Sequence, residues 1–339
     1  MRPTVAMAMP VGMSQMSPPW PAALRISTAA FAIALLCSAC SSEGSGAPAP
    51  DSGGNSGSDG TMPITTADVV CGLSKVVLNP TLGVTSQATW SCANGDRTLS
   101  ANGIPDHAVG VFPNPENPNT ITAQAVQFKA TLTPTASTPQ MVTPWRVGYH
   151  LNGVRFDPLT AGSCPANAKS VSDCTFIGPP SQFGLLALGQ SLFRFGVDQN
   201  NGHVQPDGAY HYHGVPEATL TAAGASAATP KIVLIGFAAD GYPIYARFGY
   251  AKATEASSGL KTLASSYRLK ANPDPGRPAV SVIPMGAFTV DYEYVPGLGD
   301  LDECNGRFGV TPEFPKGIYH YYATDAFPYL PNCWKGALP

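Results

Sequence analysis

The chain has six histidines in 339 residues, and two of them stand one residue apart in "QPDGAYHYHGVP" (205–216). In an extended strand alternate side chains leave on the same face, so His211 and His213 share one face and Tyr210 and Tyr212 the other. Two imidazoles placed that way are half of a metal site, with zinc, copper, iron and nickel as the ions that suit nitrogen donors. The competing explanation is a buried polar network, in which His and Tyr hydrogen-bond to loop carbonyls and bind nothing. A partial repeat raises the weight of the first reading. "GAYHYHGVP" (208–216) is answered by "GIYHYYATD" (317–325), which suggests two glycine-led strands brought together in one site. On that expectation His320 is the third ligand. His203 lies shortly before a turn at Pro206-Asp207-Gly208, which can return it as a fourth ligand or a supporting partner. In the second copy Tyr322 stands where the first has His213, so the two motifs cannot supply four histidines. His107 in "IPDHAVG" and His150 complete the set.

Carboxylates form a second candidate group. Asp300, Asp302 and Glu303 in "GDLDECNG", beside Asn305, are hard oxygen donors of the sort calcium takes, although the EF-hand spacing is absent. The alternative is a turn whose carboxylates cap backbone N–H groups. Asp240-Gly241 reads first as a hairpin turn between two strand-like runs. Asp240 would act at a metal only by orienting a ligand histidine, and Asp198, Asn200, Asn201 and Asp207 around the first motif face the same choice. No Gly-x-Ser-x-Gly elbow is present, and an even cysteine count leaves no obvious thiol nucleophile. Catalysis would therefore need a three-histidine metal with an open position, with Glu217, Asp207 or a tyrosine carrying protons, on a substrate the sequence does not name.

These side chains need a scaffold, and composition indicates which kind. Charged residues are only 12% of the chain, while 35 glycines and 34 prolines punctuate it. That balance favours short strands and turns over long solvated helices. Runs such as "AVQFKATL" (125–132), "KIVLIGFAA" (231–239) and the cleanly alternating "FTVDYEYV" (288–295) read as strands. One helix is expected near "ATEASSGLKTLASSY" (253–267). No βαβ rhythm or phosphate loop appears, and the 19 basic residues form no runs, which argues against nucleotide and nucleic-acid binding. The fold expected is mainly β, a single loop-rich sandwich or barrel-like domain with few short helices.

The beginning of the chain reads as an address. Arg25 precedes the apolar run "ISTAAFAIALLCSAC", about the length of a signal peptide. It ends at Cys40, and "LLCSAC" resembles the lipobox of bacterial lipoproteins. That resemblance implies a signal peptide over 1–40 and a lipid on Cys40. With Ser41 rather than an acidic residue next, it also implies an outer-membrane anchor in the cell envelope of a bacterium, periplasmic or surface-facing, with a secreted form as the alternative. Residues 41–63 are a Gly/Ser/Pro-rich tether, leaving 64–339 as the folded domain. Setting aside Cys37 and Cys40, the remaining Cys71, Cys92, Cys164, Cys174, Cys304 and Cys333 are even in number, as disulfides in an exported protein require. Neighbour pairing 71–92, 164–174 and 304–333 is the simplest of about fifteen connectivities.

The blocks "NGIPDHAVGVFPNPENPNTI" (102–121), "DQNNGHVQPDGAYHYHG" (198–214), "IGFAADGYPIYARFG" (235–249) and "DLDECNGRFGVTPEFPKGIYHYYATDAFPY" (300–329) resemble, in order, those of proteins carrying the YHYH domain. The resemblance spans most of residues 100–335 and implies no settled biochemical role. The functional expectation is an exported, lipid-anchored domain holding copper or zinc through His211, His213 and His320 with His203 in support. Its only expected membrane contact is the lipid, and no nucleic acid is expected. A metal-free surface module binding carbohydrate or protein through exposed tyrosines and prolines is the first alternative. A metal-dependent hydrolase or oxidase is the second.

Overall fold

The computed structural model describes residues 65–66, 69–141, 147–158, 162–175 and 183–338. Cys40, the expected signal peptide and the tether at 41–63 lie outside the described residues. Two sheets dominate. The smaller is antiparallel, in the order β1 (Ser74–Leu78), β2 (Thr85–Ala93), β3 (Asp96–Ala101) and β4 (Val126–Thr131). Its strands alternate as half-buried strands should. Ala88 and Trp90 on β2 and Leu99 on β3 turn inward to meet Phe237. The indole N–H of Trp90 donates to the Leu151 carbonyl at 3.0 Å, tying this sheet to the larger one.

The larger sheet has eight strands. In chain order they are β5 (Gly148–His150), β6 (Arg155–Phe156), β7 (Gly202–Val204), β8 (Tyr210–Tyr212), β9 (Val233–Ala238), β10 (Pro243–Ala246), β11 (Gly306–Gly309) and β12 (Ile318–Ala323). In space the order is β7-β8-β6-β5-β9-β10-β12-β11. Read from either edge, the sheet gives the same sequence of relations. An outer antiparallel hairpin (β7/β8 or β11/β12) lies parallel to an inner strand (β6 or β10), which pairs antiparallel with a central one (β5 or β9). The two central strands meet antiparallel, with Phe237 opposite Tyr149.

This arrangement is a pseudo-twofold, visible atom by atom. Leu151 N–H donates to Ile235 O at 2.9 Å, and Ala239 N–H donates to Val147 O at 3.0 Å. A Cβ on Gly148 would lie 2.2 Å from Phe237 O, and one on Gly236 would lie 2.1 Å from Tyr149 O. Both positions admit only glycine because a carbonyl occupies the space a methyl would need. The glycines that begin the two Gly-x-Tyr-His-Tyr strands, Gly208 and Gly317, have φ of 86° and 90°, which lets the turn enter the strand without a Cβ clash.

The described sheets are open and no barrel closes. Three disulfides pair Cys71 with Cys92, Cys164 with Cys174 and Cys304 with Cys333. A satellite core around Cys164, Phe183, Leu185, Ile283 and Phe288 supports the loops. Two local expectations change. The run 288–295 is a 3-10 turn over Thr289–Asp291 followed by a strand at Tyr292–Tyr294. The cause is Asp291, which is buried, pairs with Arg277 and accepts backbone N–H groups from Gly286 and Phe288. That ion pair outweighs the alternation of the sequence. The helix expected over 253–267 is absent: Ala256–Ser258 forms one 3-10 turn, Gly259 has φ of 77°, and a strand follows at Leu260–Thr262. The α-helix among the described residues is α1, Glu217–Ala222.

Candidate metal centre

The β7/β8 hairpin builds the centre. Its turn places His203 directly opposite His211 in the ladder, and His213 follows on the same face as His211. The three rings stand mutually edge-on, with centroids 4.6, 4.6 and 4.8 Å apart. One nitrogen from each lies within 4.8 Å of the others, and His213 Nε2 is 2.9 Å from His203 Nε2. These separations bracket the roughly 3.3 Å edge of a tetrahedron with metal–nitrogen bonds of about 2.0–2.1 Å. His211 and His213 are buried, while His203 is half-buried and gives the cluster its solvent-facing side.

The outer nitrogens are fixed by the backbone. His203 Nδ1 sits 2.8 Å from Phe195 O, and His211 Nδ1 sits 3.1 Å from Ala209 O. A carbonyl can only accept, so these contacts assign the proton of His203 and of His211 to Nδ1. Their Nε2 lone pairs are left to the cluster, where His213 Nε2 also points. The rings stay uncharged there, because burial holds all three below the ordinary histidine pKa, His211 and His213 well below it. Mutual repulsion and the nearby Arg155 push His211 and His213 in the same direction. What results is a set of neutral imidazoles, two of them oriented from behind by carbonyls, which is how metal-ligating histidines are commonly held.

His320 does not join them. It lies on β12, with β6, β5, β9 and β10 between its strand and β8. At roughly 4.8 Å per strand that is about 24 Å. The echo in the sequence marks a duplication, and the pseudo-twofold sends its two copies to opposite ends of one sheet. His320 instead belongs to a cluster of the second half. Its Nδ1 sits 2.9 Å from Ile318 O, and its Nε2 sits 3.0 Å from the Tyr322 hydroxyl. Arg307 pairs with it in register, as His203 does with His211.

The duplication extends well beyond the tetrapeptide. Tyr210 donates to Asp198 and Tyr319 to Asp302, each phenol reaching both carboxylate oxygens within 3.1 Å. Asp198 accepts N–H groups of Asn200 and Gly202, and Asp302 those of Cys304 and Gly306. Asn201 and Asn305 both have positive φ, 56° and 61°. Their carbonyls accept the N–H of His213 and of Tyr322. On the opposite sheet face, Asn152 donates to Tyr212 at 3.0 Å, while its counterpart Asp240 accepts from Tyr321 at 2.5 Å. The signal for all of this was in the sequence as "DQNNG" (198–202) and "DECNG" (302–306), each preceding its tyrosine strand.

The carboxylate candidates are occupied in structural roles. Asp300 pairs with Lys261 and accepts from Ala264 N–H. Asp302 anchors Tyr319, and Glu303 pairs with Lys335 at 2.5 Å. Asp240 is buried among Tyr321, Tyr242 and Gly336 and touches no clustered histidine. It occupies the hairpin between β9 and β10, as the Asp-Gly pair implied. Asp207 caps its turn through Ala209 N–H, and Glu217 is held by Arg247. Among the described residues, therefore, the acidic block forms no ligand group comparable to the three histidines. The motif tyrosines Tyr210, Tyr212, Tyr321 and Tyr322 are buried, which removes them as the exposed aromatic surface a carbohydrate-binding module needs.

Neither a curated protein nor a solved structure matches the chain. One family model does, over residues 127–336, under the description YHYH protein, and it takes in both hairpins and the whole eight-stranded sheet. With both Tyr-His-Tyr strands inside a match that covers most of its length, the chain belongs to the YHYH protein family.

Proposed function

We propose that this protein binds one transition metal ion, copper or zinc, through Nε2 of His203, His211 and His213. The observation that carries the reading is the convergence of three imidazoles, with one nitrogen of each within 4.8 Å of the others and two Nε2 atoms 2.9 Å apart. A single proton can bridge only one pair of these nitrogens. Burial keeps the rings from charging, and a cation bonded to all three nitrogens satisfies every ring at once. An all-imidazole set suits copper and zinc and is a poor match for calcium, which takes oxygen. Three protein ligands leave a fourth position open, where a bound ion would supply Lewis acidity toward water or a small ligand. The half-buried face of His203 is where such a ligand would enter.

The setting proposed with it is the bacterial cell envelope, with the domain anchored by a lipid on Cys40. Supporting this are the apolar run ending at that cysteine and the three disulfides, which need an oxidising compartment. Elemental analysis of the purified protein is the direct test. It should show about one equivalent of copper or zinc that is lost in the His211→Ala/His213→Ala variant. Uptake that survives in the folded double variant would end the proposal.

A further inference from the structure

The second hairpin presents the same backbone frame with different chemistry. Arg307 takes the ladder position of His203 and His320 that of His211, and Tyr322 follows His320 by two residues as His213 follows His211. The His320 and Tyr322 hydrogen bonds have one consistent direction, while Arg307 Nε is buried without a hydrogen-bond partner among the described residues. His320 Nδ1 donates to Ile318 O, so its Nε2 accepts from the Tyr322 hydroxyl. The Arg307 guanidinium lies beside the phenol and lowers its pKa against burial, and it donates to Tyr250 O at 2.8 Å. The guanidinium carbon lies 5.5 Å from the Tyr322 ring centroid. Both its Nη2 and the Tyr322 hydroxyl approach the point where a Cβ on Gly249 would sit, at 2.7 and 2.6 Å. Tyr245, which stands opposite Tyr322 across the ladder, packs on both rings but turns its hydroxyl away to Thr311 and Glu313. The charge of Arg307 is felt at both partners, since it favours neutral His320 and eases ionisation of Tyr322.

We propose that the second cluster is a counterpart of the metal centre in which a covalently supplied cation, the Arg307 guanidinium, stands in for the ion. The chain on this account carries one metal site and one guanidinium-filled site on a single duplicated frame. The inference rests on the functional reading above and adds to it that the frame, rather than the first hairpin alone, is the metal-binding unit. Its consequence is that the residues at two positions, His203/Arg307 and His213/Tyr322, decide which of the two cations is used.

The test exchanges those residues in the full-length protein and counts zinc and copper separately after titration with each metal alone and dialysis. Wild-type protein is expected to retain one equivalent, and Arg307→His/Tyr322→His two. The reciprocal His203→Arg/His213→Tyr variant is expected to retain none and to melt within a few degrees of metal-free wild type, because the second hairpin already tolerates that set. One equivalent in folded Arg307→His/Tyr322→His overturns the inference and leaves the functional reading intact. If that variant does not fold, the reciprocal one decides. A folded, metal-free protein supports the shared frame, and an unfolded one, or one that still retains an equivalent, rejects it. Wild type without metal is a different failure, which removes the functional reading and this inference together.

Discussion

The two hairpins at the ends of the large sheet share their anchors and differ in their centres. Asp198 and Asp302 hold equivalent tyrosines, Asn201 and Asn305 make the same left-handed turn, and a histidine Nδ1 bonds the carbonyl two residues back in both. At the second centre His320 bonds Ile318 O and the Tyr322 hydroxyl, and Arg307 brings a fixed positive charge that donates to Tyr250 O, although its Nε is buried without a partner among the described residues. At the first, three imidazoles bring their nitrogens together. The same scaffold thus holds a cluster with a built-in cation at one end and an all-imidazole cluster at the other. Imidazole nitrogens suit transition metals, so the all-imidazole end is the one that calls for an ion.

The largest expected contrast is in metal affinity. His203→Ala or His213→Ala should weaken copper and zinc binding beyond the ~10–100-fold that loss of an outer-sphere partner costs. His320→Ala should leave affinity unchanged in the same titration. Equal losses in all three variants would mean that the two ends do not differ in the way described.

Next in size are the anchors. Asp198→Ala and Asp302→Ala each strand a tyrosine hydroxyl and two or more backbone N–H groups. Each should lower unfolding free energy by about 3 kcal/mol in denaturant titration. Only Asp198→Ala should also reduce metal retention, and a variant pair that behaves alike in both measurements would contradict that division.

The pseudo-twofold itself can be probed at its axis. Gly148→Ala and Gly236→Ala push a methyl against equivalent carbonyls, and each should cost at least ~1–3 kcal/mol, as overpacked sites do. The informative quantity is the difference between them, expected within about 0.5 kcal/mol. A gap of several kcal/mol would show that the two central strands are not equivalent environments.

The most gradual effect, spread over several pH units, is the acid response of the metal-free protein. Burial lowers His320 to about 4 and His150 to about 3 in the folded chain. The unfolded chain, with histidines near 6.5, therefore takes up these protons first. Stability supplied by the neutral rings is complete above about pH 6.5 and declines as pH falls toward 4 and 3, by up to about 1.4 kcal/mol per pH unit for each ring. His320→Gln should flatten the 6.5-to-4 part of that slope in urea titrations at stepped pH. An unchanged slope would place His320 in a more solvated environment than its cluster implies.

Sequence alone was enough for the mainly β character, since low charge and abundant glycine and proline exclude long helices. It was also enough for the Asp240-Gly241 hairpin, the family, and the same-face pair His211 and His213, because side-chain alternation in a strand is a local property. It further placed His203 within reach of that pair, because the turn between them is written in Pro206-Asp207-Gly208. Alternation misled at 288–295, where Asp291 meets an Arg277 fourteen positions away in the chain and bends the backbone around the ion pair. The destination of the second Tyr-His-Tyr strand was not legible either. A repeated motif is compatible with two copies converging on one site or occupying equivalent ends of a symmetric sheet, and only strand order separates the two. That order is set by long-range pairing between β5 and β9 and by the packing of Phe237 against Trp90 and Leu99, none of which leaves a periodic trace. Tertiary structure therefore chose His203 over His320 as the third imidazole and assigned Asp300, Asp302 and Glu303 to anchoring and ion pairs. The physical reason is that ligand geometry depends on distances between strands, which the spacing of residues within a strand does not encode.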